Sequence, residues 1–281
     1  MVSETFAIAG EVSVRRLGYG TVHLTGPGCW GPRGSAEDAV AVLRAAVDGG
    51  VTLIDTADNY GPSVAEELIA EALYPYASEL TVATKGGVVR TGPDVWHVDG
   101  RPERLRAMCE ASLRRLRVDT IDLYQLHRLD PGVPLADQLG TLAELRRAGK
   151  VRHVGLDSVT PAQLEAALDL GIVDIVSVQN RYNVLDRASE PLLKLCETRG
   201  IAFLPWFPLG NGSLAEDPVC TDIARARGAS PAQVALAWLL HHSPVLCPTP
   251  GTSAVAHLTE NLAAARLRLS PTDLARLDAL A

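Results

Sequence analysis

The chain of 281 residues carries 33 acidic and 26 basic side chains, a net charge of −7, and is 47% hydrophobic. That is ample apolar material for a core; the dense Lys/Arg runs of a nucleic-acid partner are missing, and the apolar stretches are too short and interrupted to span a membrane. Met1 to Gly10 has no basic n-region or long apolar block, so no signal peptide is expected, and five scattered cysteines (Cys29, Cys109, Cys196, Cys220, Cys247) without C-x-x-C spacing predict free thiols in a reducing cytoplasm and no metal site.

Thr5 to Ile8 and Glu11 to Val14 flank Ala9-Gly10 and predict an N-terminal hairpin. Short apolar runs then alternate with amphipathic segments. The expected strands are Leu17–Val22, Val51–Ile54, Leu80–Thr84, Ile121–Gln125, Val151–Gly155, Ile175–Gln179, Ile201–Leu204 and Val245–Cys247. The expected helices between and after them are Ser35–Asp48, Val64–Leu73, Pro102–Leu116, Leu135–Ala148, Pro161–Leu170, Ser189–Arg199, Pro218–Arg227, Pro231–His242 and Ala254–Ala265. Pro271–Leu280 is a further C-terminal helix capped by Ser270. Eight strand–helix units without a linker predict one α/β domain over residues 1–281, a closed (β/α)8 TIM barrel with an N-terminal hairpin and an extra C-terminal helix. The glycine-rich stretches Gly26–Gly34 and Gly86–Gly100 fall after strands, where barrel loops carry function.

Four polar residues stand at or just past the ends of strands two to four: Asp55, Tyr60, Lys85 and His127. Each alone has an ordinary structural use: Asp55 as a turn cap, Tyr60 in packing, Lys85 in solvent, His127 on the surface. Four at successive strand ends, pointing into one mouth, suit a shared chemistry better. A tyrosine titrates near pH 10, too high for efficient acid–base work at neutral pH, and a neighbouring ammonium favours its ionised form. An aspartate holds the ammonium in place, and a histidine can donate to a carbonyl oxygen. Together they make a proton-donating device for a carbonyl under reduction.

Ile54-Asp55-Thr56-Ala57-Asp58-Asn59-Tyr60-Gly61 resembles the Asp-Thr-Ala-x-x-Tyr-Gly signature of the aldo-keto reductases, and Thr84-Lys85 and Leu126-His127 match that family's lysine and histidine. The match runs from Arg16-Leu17-Gly18 to Glu260-Asn261. The resemblance implies a (β/α)8 barrel in which Tyr60 donates the proton, Asp55 and Lys85 tune it, His127 orients the carbonyl and a nicotinamide cofactor supplies hydride. It also implies a cytoplasmic monomer acting on a small-molecule carbonyl substrate.

The same resemblance implies a cofactor site. Gln179 would hold the nicotinamide amide and Trp206 would stack on the ring. Phe207, Pro208, Leu209 and Gly210 would flank the pyrophosphate, with Gly20 and Thr21 toward the end of strand one. Gly251, Thr252, Ser253 and His257 would meet the phosphates, and Glu260 and Asn261 the adenine. Two departures stand out. The family's Gly-x-Ser-Asn segment is here Gly155-Leu156-Asp157-Ser158, which puts a carboxyl near the carboxamide. The lysine and arginine that many members place around the 2′-phosphate are replaced by Gly251 and His257, with less charge to offer. NADP(H) is expected by resemblance to bacterial members with a Pro-Gly-Thr-Ser segment, with NAD(H) left open beside it.

Leu17-Gly18-Tyr19-Gly20, Ala72-Leu73-Tyr74-Pro75-Tyr76, Trp206-Phe207-Pro208-Leu209-Gly210 and Pro250-Gly251-Thr252-Ser253-Ala254-Val255-Ala256-His257-Leu258 resemble the bacterial pyridoxal reductase (pyridoxine 4-dehydrogenase) branch. Trp30, in the loop after strand one, and Trp96 and His97, after strand three, are the candidate substrate contacts. Three functions stay open: an NADPH-dependent reductase of small, pyridoxal-like aldehydes or ketones, a tailoring ketoreductase for sugars or natural products, and a non-catalytic nucleotide-sensing module.

Overall fold

Short β-rich runs separated by crossover helices can only pair in parallel, because each helix returns the chain to the same end of the sheet. The computed structural model describes residues 3–281 and shows this pairing. The strands are β1 (Thr5–Ile8), β2 (Val12–Arg15), β3 (Tyr19–Gly20), β4 (Leu53–Asp55), β5 (Thr81–Gly86), β6 (Val88–Gly92), β7 (Val95–Val98), β8 (Ile121–Leu126), β9 (Val151–Asp157), β10 (Ile175–Arg181) and β11 (Ala202–Trp206). The helices are α1 (Ala36–Asp48), α2 (Val64–Leu73), α3 (Pro102–Leu116), α4 (Leu135–Arg147), α5 (Pro161–Leu170), α6 (Glu190–Arg199), α7 (Pro218–Arg227), α8 (Pro231–His242), α9 (Val255–Ala263) and α10 (Pro271–Asp278). Seven strands form one parallel sheet in the order β11-β10-β9-β8-β5-β4-β3.

Closure comes from residues 245–251, where the eighth strand was expected. They bridge both edges of the sheet: Phe203 N–H donates to Val245 O and Cys247 N–H to Phe203 O (2.8 Å each), while Gly18 N–H donates to Pro248 O at 2.9 Å. Parallel bridges join Phe203 to Leu246 and Gly20 to Gly251. The segment does not form a regular strand because Pro248 and Pro250 have no N–H to donate. The barrel is a (β/α)8 barrel whose eighth stave is built from isolated bridges. Arg16, 1% exposed, locks this seam: its guanidinium donates to the carbonyls of Leu246 and Leu240 at 2.9 Å and also to Ser243 O.

Two further differences have local causes. The expected strand Leu17–Val22 shrinks to Tyr19–Gly20, since Val22–Leu24 winds into a 3-10 turn. The loop after β5 contains an antiparallel ribbon, β6–β7, turning at Pro93-Asp94. The N-terminal hairpin β1–β2 forms as expected.

Helix starts follow their caps. Ser35, Thr160, Ser230 and Ser270 each accept a backbone N–H in the first turn, the last three as reciprocal capping boxes. Inside the barrel, strand alternation stacks residues in layers. Ile8 and Val14 of the hairpin pack with Leu53, Ala83, Leu123, Leu204 and Cys247 as an apolar floor. Two residues further along β4, β5 and β8 stand Asp55, Lys85 and Gln125, all buried. The fold therefore seats a polar layer directly on the apolar floor, at the C-terminal ends of the strands.

Candidate active site

Lys85 is fully buried and donates three hydrogen bonds: to Asp55 Oδ1 (2.7 Å), Asp55 Oδ2 (2.9 Å) and Thr56 O (2.8 Å). An ammonium has three protons, so all are spent. Burial alone would lower the Lys85 pKa, but Asp55, with Tyr60 and Asp157, raises it above its ordinary value and holds the cation charged. Asp55 also accepts from Gln179 Nε2 at 3.0 Å and Gln125 Nε2 at 3.4 Å, and Gln125 Nε2 donates to Gln179 Oε1 at 3.0 Å.

Tyr60 lies above this layer, with Lys85 Nζ 5.3 Å from its ring centroid. Among the described residues its hydroxyl has no hydrogen-bond partner, and it faces a cavity of about 770 Å³. The lysine does pull its pKa down, but burial pushes harder, and the net direction is upward. In the protein alone, Tyr60 is thus a protonated phenol, its pKa raised by burial where the ammonium beside it was expected to lower it.

His127 packs edge-on against Tyr60 and Trp96, ring centroids 6.1 and 6.2 Å away. Burial, followed by the charges of Lys85, Arg128 and Arg90, holds its pKa well below the ordinary histidine value, so the ring is neutral. Its Nε2 lies 4.0 Å from Asp157 Oδ2. Asp157 is itself buried, which pushes its carboxyl up to about 7 against the pull of Lys85 and of a 2.7 Å hydrogen bond from Ser158 Oγ. Ser158 adopts the left-handed backbone region (φ 57°).

The cavity brings together most of the residues expected from the sequence. Asp55, Tyr60 and His127 line it, with Lys85 beneath Asp55. Gly20, Thr21, Asp157, Ser158, Gln179, Trp206, Phe207, Pro208, Leu209 and Gly251 line its length. Gly210, Thr252, Ser253, His257, Glu260 and Asn261 are outside the lining; all but Gly210 follow it along the chain from Gly251 into α9. Trp96 contributes a wall, but Trp30 and His97 do not reach the cavity. His97 follows Trp96 in β7, so strand alternation turns it to the other face, where its Nε2 pairs with Thr91 Oγ1 at 2.9 Å. Trp30 is on the surface, 37% exposed.

The lining also contains residues that the sequence reading did not single out, among them Val22, His23, Cys29, Asp94 and Arg128. Asn59 and Gln125 were missed as well, although Gln125, a lone amide in a run of strand residues two positions after Leu123, was legible by alternation.

The donor set suits a nicotinamide dinucleotide. Gln179 spends one N–H on Asp55 and one lone pair on Gln125, leaving one of each for a carboxamide. Trp206 and Phe207 meet edge to face with centroids 5.0 Å apart, forming an aromatic corner on the cavity. At Gly251 an added Cβ would lie 2.6 Å from His23 Nδ1 and 2.7 Å from Gly20 O, so the backbone passes here with no room for a side chain. The N-terminus of α9, like those of α2, α3, α4 and α6, has no side-chain cap, and it follows Gly251 and Thr252 along the chain.

The model of the aldo/keto reductase family matches residues 16–281. The chain is 46% identical to an uncharacterised oxidoreductase of Schizosaccharomyces pombe, over 96% of this chain and 87% of the relative. It is 43% identical to pyridoxine 4-dehydrogenase of Escherichia coli, over 100% of this chain and 99% of that one. Among solved structures, an aldo-keto reductase from Klebsiella pneumoniae in complex with NADPH superposes with a TM-score of 0.84 at 27% identity, covering 100% of this chain and 95% of the other. The barrel, its mouth and these matches place the chain in the aldo/keto reductase family. It is an NAD(P)H-dependent oxidoreductase.

Proposed function

We propose that this protein reduces a small, pyridoxal-like aldehyde or ketone to the alcohol with NADPH, Tyr60 giving the proton. The observation that carries the reading is the convergence, at one cavity, of a Tyr60 hydroxyl unpartnered among the described residues, the Lys85–Asp55 pair and a neutral His127. NADPH is favoured by the ligand of the Klebsiella pneumoniae enzyme. The pyridoxal-like substrate is favoured by the 43% identity to the Escherichia coli pyridoxine 4-dehydrogenase.

The residues divide the work as follows. Gln179 and Ser158 bind the carboxamide, Trp206 covers the nicotinamide face, Gly20 and Gly251 admit the pyrophosphate, and the start of α9 takes the 2′-phosphate. The nicotinamide, when bound, supplies hydride to the carbonyl carbon. Tyr60, protonated throughout neutral pH, donates its proton to the carbonyl oxygen as negative charge develops there. The Lys85 ammonium stabilises the phenolate left behind, and Asp55 keeps that ammonium from wandering. His127 donates a second hydrogen bond to the same oxygen and fixes its direction. Trp96, edge-on to His127, supplies an apolar wall beside the carbonyl.

The test pairs binding with turnover. Titration with NADPH and NADH, followed by tryptophan fluorescence, should show quenching by NADPH at the lower concentration, with Trp206→Phe reducing the quench. Tyr60→Phe should keep nucleotide binding and lose about 10²- to 10⁴-fold in turnover with pyridoxal. Full turnover in Tyr60→Phe would remove Tyr60 as the donor, and equal response to both nucleotides would make this a dual-specificity enzyme.

A further inference from the structure

We propose that Asn59 is a positioning residue that locks the imidazole of His127 as the Nε2–H tautomer, so that its only proton faces the reacting oxygen. The proposal rests on the reading of His127 as the carbonyl-orienting donor and adds the device that makes it one.

The geometry leaves little freedom. Asn59 is 3% exposed, and its Nδ2 lies 3.1 Å from Val88 O and 3.0 Å from His127 Nδ1. A carbonyl oxygen only accepts, so the amide atom facing Val88 must be the NH2 group and not its oxygen. The second hydrogen of that NH2 then points to His127 Nδ1. An amide nitrogen offers no lone pair, so Nδ1 must be the acceptor and carries no proton. In a neutral imidazole the remaining proton sits on Nε2, the nitrogen turned toward Asp157 and the cavity.

A second observation supports a role beyond packing. The Oδ1 of Asn59 is buried with no partner among the described residues. A buried acceptor left bare is unfavourable, and such groups in folded proteins call for a reason. The amide has accepted that cost to aim both N–H bonds, one at the start of β6 and one at the histidine. β6 follows β5, which carries Lys85, so the same amide ties the histidine to the strand behind the lysine. The charged groups that face the imidazole are Lys85 from β5, Arg90 from β6, Arg128 from its own loop and Asp157 from β9. Burial first, and then the cations, keep the ring from gaining a second proton, and the lock decides where the single proton sits.

The test begins with the wild-type protein. Histidine labelled with ¹⁵N, with the His127 signals assigned by their loss in His127→Gln, should show a bare Nδ1 and a protonated Nε2 from acid-side to alkaline pH. Asn59→Leu should give a mixture of tautomers at His127 and lose roughly 10- to 100-fold in kcat for carbonyl reduction, with a much smaller change in KM. Asn59→Asp replaces the donor by an acceptor, so Nδ1 becomes the protonated nitrogen. Turnover should then fall as pH rises, because the imidazolium loses its Nε2 proton first, a limb absent from the wild type. An Nδ1–H ring in the wild type overturns the proposal whatever the activity, and so does an unchanged kcat in Asn59→Leu with a mixed tautomer. If the wild type shows the Nε2–H ring but reduces no carbonyl, the lock stands and the functional reading falls.

Discussion

Asp157 offers the sharpest energetic test of the site. It is a carboxyl, 4% exposed, on the cavity wall, and its pKa is pushed up to about 7 chiefly by burial. In an unfolded chain the same group titrates near 4. Between about pH 4 and about pH 7 the unfolded chain therefore releases a proton that the folded protein keeps. The folded state binds more protons there, so stability falls as pH rises through this window and levels off above it. A difference of roughly three pH units at 1.36 kcal/mol each makes the ionised Asp157 cost about 4 kcal/mol. Asp157→Asn preserves shape and the hydrogen bond from Ser158 Oγ but removes the charge. The variant should match the wild type near pH 4, gain on it up to about pH 7, and stay ahead by about 4 kcal/mol beyond that. For a chain of this size the gain is a rise of roughly 8 °C in thermal midpoint. The assay is a series of thermal melts by circular dichroism from about pH 4 to about pH 9, without nucleotide, on both proteins. A difference that does not depend on pH, or one that favours the wild type at alkaline pH, would refute burial as the origin of the shift.

Two further perturbations probe the polar layer and the cofactor channel. Lys85→Met leaves Asp55 buried with only amide donors, from Gln125 and Gln179, and should cost about 3–5 kcal/mol. Asp55→Asn/Lys85→Met removes both charges and should recover most of that loss; a double variant no better than the single in a urea titration contradicts the account. Gly251→Ala places a methyl against Gly20 O, a backbone atom that cannot rotate away, and should weaken nucleotide binding at least tenfold by fluorescence titration while lowering the thermal midpoint by a few degrees.

How far these features could be read in advance depended on whether their causes were local. The helices Pro102–Leu116, Pro161–Leu170, Pro218–Arg227 and Pro231–His242 carry their own start signal in a proline at the first position, and their ends agree with the structure. Strand eight was misjudged in form because Val245–Cys247 is apolar enough for a strand while Pro248 and Pro250 just beyond it deny the ladder its donors. The β6–β7 ribbon was masked by its glycines, and with it the alternation that separates Trp96 from His97. Asp55, Tyr60, Lys85 and His127 were legible because barrel topology sends strand ends to one mouth. The pairing of Asn59 with His127 spans 68 residues and has no local sign. The net direction of the Tyr60 shift was equally out of reach, because it depends on how deeply the finished barrel buries the phenol.

One physical cause sets the protonation of the three groups around the cavity. Burial raises Tyr60, raises Asp157 and lowers His127, in each case as the largest influence. A desolvated site favours the neutral form of every group it holds. For the phenol the neutral form is the one the proposed proton transfer needs, and for the imidazole it is the single-proton ring that can be aimed. Lys85 stays charged because Asp55 supplies the solvation that burial removes, with Thr56 O taking its third proton, while Gln125 and Gln179 donate to Asp55. The apolar floor formed by Ile8, Val14 and their neighbours helps make the layer above it dry. Because the hairpin supplies that floor, Ile8→Ser or Val14→Ser should let water reach the Lys85–Asp55 pair from below and lower the thermal midpoint by several degrees in a melt; an unchanged midpoint would contradict the floor's role.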